Sequence, residues 1–198
     1  MSKHHRNRNW APAPQPLPED AHVIDNHTHV ASVVPFSQAM SHEAMEKGQG
    51  EVPVYSVDEL LEQAQKVGVE GVIDCGCELP NLMTAIDMAR EHPGTVHAAI
   101  AIHPNEAVLH GHRGAPGPDG LPIKYKPWHD IPFDEAMAEV HRLATTYPNQ
   151  VVAIGETGMD LFRTGESAKE LQREAFRAHV ALAKELNLPM QIHDRDSH

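Results

Sequence analysis

The sequence predicts an α/β fold, a (β/α) barrel of the TIM type, with about five of the eight βα units present in this chain. Three observations predict it. From residue 22 onward, short apolar runs alternate with stretches of helical period, which is the signature of βαβ units around a parallel sheet. The runs are apolar throughout rather than alternating, as in strands covered on both faces. Residues that can bind metal recur at the C-terminal ends of those runs, the edge on which barrels carry their chemistry. The alternation by itself suits a doubly wound sheet equally well, and it is the third observation that favours the barrel.

Residues 1–20 read as a separate arm. Ala11 to Pro18 runs A-P-A-P-Q-P-L-P, which lacks backbone donors and favours an extended polyproline conformation, mobile or laid along the surface. Residues 21–198 read as the barrel portion. His22 to Asp25 is the first β-run, and residues 31–55 follow it with no clear periodicity. From 57 to 67, Val57, Leu60, Leu61, Ala64 and Val67 fall at helical spacing, with Ser56 as N-cap and Gly68 as stop. Val69 to Cys75 is the second strand. A helix over 80–91 ends at His92-Pro93-Gly94, and Thr95 to Ile102 is the third strand. Residues 105–132 are rich in glycine and proline. They carry Lys124, Lys126, Trp128 and His129, a mixture of cations and aromatics that suits single-stranded nucleic acid. A helix over 133–146, a strand over 151–154, a helix over 168–186 and a fifth strand over 188–193 complete the order.

Composition narrows the function. The net charge of −12 argues against a broad basic face for wrapping nucleic acid, but not against a small site where bound cations meet a phosphate. No segment is apolar enough to span a membrane and no secretory h-region follows the basic N-terminus. Cys75 and Cys77, one residue apart, read as reduced thiols in a cytoplasmic protein.

The chemistry-bearing residues sit at strand ends. His27 and His29, two apart in Asp25-Asn26-His27-Thr28-His29, face one side of a strand and can converge on a single cation. Glu156 follows the fourth apolar strand between Gly155 and Gly158, poorly placed for core packing and well placed to bridge two cations. His103 with Pro104 follows the third strand, and His193 with Arg195 follows the fifth. Each motif alone is weak. Together they set His, His, Glu and His on one edge of a parallel sheet, which points to divalent metal.

These segments resemble the TatD family of metal-dependent hydrolases, (β/α) barrels of the amidohydrolase-like group. The opening D-x-H-x-H is Asp25 to His29, and G-x-H-P appears as Ala101 to Pro104 with alanine first. G-E-x-G-L-D becomes Gly155 to Asp160, the glutamine-bearing helix contributes Gln172 and Phe176, and P-x-x-I-H-x-R is Pro189 to Arg195. The likeness runs from about residue 22 to 198. It implies a deoxyribonuclease acting on DNA, single-stranded or at strand ends, through two divalent ions (Mg, Mn or Zn). His27, His29 and His193 would be metal ligands, Glu156 the bridging ligand and catalytic residue, and His103 and Arg195 the contacts to substrate phosphate. Asp25 and Asp160 would orient the ligands. The family pattern continues through about three further βα units, bearing another histidine and a late aspartate. The likeness therefore implies that this chain alone is a poor or inactive nuclease, prone to pair through open sheet edges. Two other readings remain at this stage: an amidohydrolase-like hydrolase of another bond, and a metal-binding fragment without turnover.

Overall fold

The computed structural model describes residues 16–48, 53–114, 117 and 120–197. The N-terminal arm lies outside them up to residue 15. Where the chain is first described, it lies on the surface: Leu17 N–H donates to Val67 O (2.8 Å), and its side chain rests on Gly68, whose φ is +93°.

Five parallel strands, β1 (Val23–Thr28), β2 (Val69–Gly76), β3 (Val96–Ile100), β4 (Val151–Asp160) and β5 (Met190–Arg195), pair in sequential order. That order answers what the alternation left open. A doubly wound sheet reverses its strand order at a switch point, whereas a barrel winds in one direction. The sheet is also strongly curled. Neighbouring strands lie about 4.8 Å apart, so a flat sheet would separate β1 from β4 by about 14 Å. Yet His27 Nε2 on β1 lies 3.3 Å from Glu156 Oε2 on β4.

Helices cover the outer face: α1 (Val30–Glu46), α2 (Val57–Lys66), α3 (Leu79–Glu91), the short α4 (Pro104–Ala107), α5 (Phe133–Thr146) and α6 (Lys169–Leu186). Local chemistry sets their ends. Ser56 and Glu59 form a reciprocal capping box on α2, and α6 stops at Asn187 in the left-handed conformation (φ 52°). The apolar stripes of α3, α5 and α6 (Leu82, Ile86, Val140, Leu143, Leu182) pack on Val96, Ile100 and Ile154 of the sheet. Alternate residues Cys75, Ala99 and Ala153 point the other way and form a small second cluster, which leaves room inside the curl. None of the helices among the described residues is long and apolar enough to cross a membrane.

Two segments differ from the sequence reading. The stretch after β1, expected to be irregular, is the helix α1. Its apolar residues form no clean stripe, only Ser37 and Ala44 are buried, and Pro35 lies within it, so its pattern hides the helix. Part of its support comes from the sheet, where Ala31 N–H donates to Asp74 Oδ1 (3.3 Å). The fourth strand, expected to end at Ile154, continues to Asp160. Gly155 and Gly158 weaken it as an isolated strand but allow β5 to come close. A Cβ on Gly158 (φ +146°) would lie 2.2 Å from His193 O.

Candidate metal centre

Side chains from the C-terminal ends of β1, β3 and β5 meet at Glu156, within β4. Its register with β5 shifts between Ile154 and Thr157, the kind of irregularity that re-aims a side chain. The residue is only 7% exposed. One carboxylate oxygen, Oε2, faces His27 Nε2 (3.3 Å) and His29 Nε2 (3.7 Å). The other, Oε1, is hydrogen-bonded to His193 Nδ1. Ligand-type atoms of His27, His29 and Glu156 thus form one cluster, and those of Glu156, His193 and His103 a second. Two imidazoles and a carboxylate on one point suit zinc or manganese, so the residues present fit a divalent cation.

The electrostatics point the same way. Burial alone would raise the Glu156 carboxyl. The His193 hydrogen bond and the nearby His103, His193 and His27 rings outweigh it and bring the value down to about 2. The Glu156 hydrogen bond, opposed by burial and supported by Asp160, holds His193 above its usual value. Cys75 and Cys77 are free thiols beside this carboxylate. Burial, then Glu156 and Asp74, push Cys75 up to about 12, and burial raises Cys77 as well. Cys77 Sγ lies 3.9 Å from Glu156 Oε2, a neighbour that sequence reasoning read as a reduced thiol without placing it at the site.

His103 belongs to the second cluster, but its hydrogen bonds restrict what it can do. Asn105 N–H donates to His103 Nδ1 (3.1 Å), so Nδ1 presents its lone pair. Burial and the neighbouring His193 push His103 down to about 4, so the ring is neutral near pH 7 with its proton on Nε2. Nε2 faces the site, 3.4 Å from His193 Nδ1. A cation on Nε2 would require both ring nitrogens to be deprotonated. Held this way, His103 is a hydrogen-bond donor.

Asp160 fixes the opposite side of His193, with Oδ2 3.2 Å from its Nε2. The same oxygen accepts from Asn105 Nδ2 (2.8 Å), and Oδ1 accepts from the Arg163 N–H (2.9 Å). Buried Gln172 ties the strand end to α6 through Asp160 N–H (2.9 Å) and Thr164 (2.8 Å). Asn105 and Thr164 were missed by sequence reasoning; neither belongs to a periodic or strand-end pattern. Asp25 accepts from the His27 backbone N–H (3.1 Å) rather than its ring. Arg195 lies at the end of β5 with its guanidinium stacked over Phe162 (4.1 Å to the ring centre). A cavity of about 380 Å³ opens beside the cluster, lined by His29, Cys77, Glu78, His103, Glu156 and Arg163 among others.

Trp128 and His129, read from sequence as a stacking surface, turn inward. Trp128 Nε1 donates to Glu106 Oε2 (3.2 Å), the His129 ring bonds the same oxygen (2.7 Å), and His129 is buried.

Residues 24–198 match the family model described as TatD related DNase. A metal-dependent hydrolase of Bacillus subtilis, YabD, itself uncharacterized, is 33% identical over 141 residues, covering 71% of this chain and 45% of the relative. The 3'-5' ssDNA/RNA exonuclease TatD of Erwinia tasmaniensis is 32% identical over 141 residues, again covering 71% and 45%. Among solved structures, the TatD homologue YjjV of Escherichia coli superposes with a TM-score of 0.59 at 24% identity, covering 89% of this chain and 52% of that one. A TatD family hydrolase of Entamoeba histolytica gives 0.60 at 21% identity, covering 89% and 50%. These two support the (β/α) barrel architecture. The chain spans about half the length of the relatives it matches.

Proposed function

This chain belongs to the TatD-related DNase family, and on that footing we propose that it serves a divalent-metal-dependent hydrolase cleaving phosphodiester bonds of DNA, acting on single strands at their ends. The observation that carries this reading is the sharing of one carboxylate, Glu156, between two clusters of imidazoles. Bound there, two divalent cations would supply an activated water and a clamp on the attacked phosphoryl group. His27, His29 and Glu156 would hold one cation, and Glu156 with His193 the other.

The chain's own residues would do the remaining work of binding and orientation. Glu156, held well below the usual carboxylate range, stays ionised and ready to bridge. Asp160 fixes the His193 ring from behind. His103, neutral with Nε2 facing the site, would donate to a non-bridging phosphate oxygen without needing to change protonation state. Arg195 would contact the phosphate only after leaving Phe162, which makes it the weaker of the two phosphate contacts. The name of the Erwinia relative, a 3'-5' exonuclease on single-stranded DNA and RNA, supports a strand end as the substrate.

One observation favours a second reading, metal binding without turnover. With His103 acting as a donor, only Glu156 and His193 remain as ligands in the second cluster among the described residues. The test is release of nucleotides from an end-labelled single-stranded oligonucleotide in Mg²⁺, Mn²⁺ or Zn²⁺. Release that stops with chelator and in Glu156→Gln supports the nuclease reading. Stoichiometric metal without release of any nucleotide supports the second.

A further inference from the structure

A smaller depression adjoins the metal cavity, and the two share Asn105 and Arg163 as walls. It measures about 150 Å³ and is otherwise lined mainly by apolar side chains, among them Leu109, Leu121 and Ile123, with the exposed Lys124 beside them. Two glycines lie close against residues of this wall. A Cβ on Gly117 would lie 2.3 Å from the Arg163 carbonyl carbon, and one on Gly114 would lie 2.6 Å from Leu109 Cδ2. No other residue type fits at Gly117 without moving backbone. Position 117 therefore lies backbone to backbone against Arg163, in the connection between β4 and α6.

Its chemistry is unusual for this chain. Acidic residues outnumber basic ones 28 to 16, yet Lys124 and Arg163 both border one small apolar depression beside a cation site. Apolar walls with cationic groups next to them match a nucleotide, whose base is flat and apolar on its faces and whose phosphate is anionic. Trp128 and His129, which the sequence suggested for stacking, are tied to Glu106, whereas the slot offers an apolar surface directly beside the cation site.

We propose that the slot between Asn105, Arg163 and the 121–124 segment receives the base of the nucleotide adjoining the one at the metal centre, with the exposed Lys124 beside its phosphate. This rests on the nucleic-acid reading given above. A strand lying across Asn105 would pass from the metal cavity into the slot without a break, and the slot would grip any base by shape and apolar contact rather than by reading its edge.

The experiment is equilibrium binding of short, labelled single-stranded oligonucleotides to the 198-residue chain loaded with Mn²⁺. A single abasic residue is moved along the strand. Affinity should fall by about tenfold when the abasic residue occupies one position next to the strand end, and little elsewhere. Gly117→Val, which forces position 117 and Arg163 apart, should erase that position dependence while the bound Mn²⁺ stays the same. Ile123→Trp, which fills the slot from a partly exposed position, should erase it too. Lys124→Ala should weaken every strand severalfold and keep the position dependence. A flat abasic profile in the unaltered chain, or a profile that survives both Gly117→Val and Ile123→Trp, overturns the slot and leaves the nucleic-acid reading standing. If no oligonucleotide binds the metal-loaded chain at all, the nucleic-acid reading fails and the slot falls with it.

Discussion

The central and edge strands of the sheet contribute to the same site from very different surroundings. β3 runs through the core, with Val96, Ala98, Ala99 and Ile100 at most 1% exposed, whereas β1 and β5 leave Ile24 58% and Ile192 63% exposed. Glu156 comes from the well-packed β4. His27 and His29 come from the end of β1, with side chains 39% and 44% exposed. The carboxylate shared by both clusters sits on a well-packed strand, and the histidines that complete one cluster stand where fewer neighbours hold them. Edge positions open at lower cost than core positions, so the two halves of the site should respond differently to the same kind of damage.

The largest difference should appear in stability. Ile100→Ala removes a fully buried side chain and should cost about 4 kcal/mol. The same change at Ile192 should stay within about 0.5 kcal/mol. Urea unfolding of the two variants measures both, and equal costs would remove the distinction between centre and edge.

Metal affinity should divide next. Glu156→Gln strikes the residue common to both clusters and should weaken every bound cation by roughly a hundredfold, while His29→Ala should weaken only one, by roughly tenfold. Titration calorimetry with Zn²⁺ separates the two. A His29→Ala variant that loses all metal would place the controlling ligand on the edge strand.

The smallest effect concerns pH. His179, on α6, is fully buried, accepts from the Ile102 N–H (3.1 Å) and bonds Ala175 O (2.7 Å). Burial holds it down to about 4. The unfolded chain therefore binds more protons than the folded one between its ordinary value of 6.5 and about 4. The stability this group contributes is complete above that window and is lost as pH falls through it. His103, lowered to a similar value, adds to the same slope. His193 is shifted the other way, so its contribution is present below its ordinary value and lost as pH rises through its folded value, outside this window. His179→Gln should flatten the dependence by at most about 1.4 kcal/mol per pH unit, measured as unfolding free energy at pH 5 and 7. An unchanged slope would assign the acid sensitivity to the site rather than to the centre.

The sequence by itself determined the order of the five strands and of α2, α3, α5 and α6, because helical spacing and unbroken apolar runs are local properties of the chain. It also marked His27, His29, Glu156 and His193, because ligand-type residues directly after apolar runs stand out from either pattern, and the structure brings all four together. It did not reveal α1, whose apolar residues form no stripe and whose support includes Asp74 from another strand. Nor did it reveal the extension of β4, which depends on β5 closing over Gly158. The tertiary structure bears out the barrel that the strand-end motifs favoured, with a parallel sheet that winds one way into a curl. It alone decided that the Asn105 N–H makes His103 a donor, and that Trp128 and His129 clamp Glu106 instead of facing a ligand. The physical reason is common to all of these. Each outcome depends on which group supplies or accepts a particular hydrogen bond, or on how closely two backbones approach, and most of those partners lie far apart in the chain. Local periodicity carries no information about them.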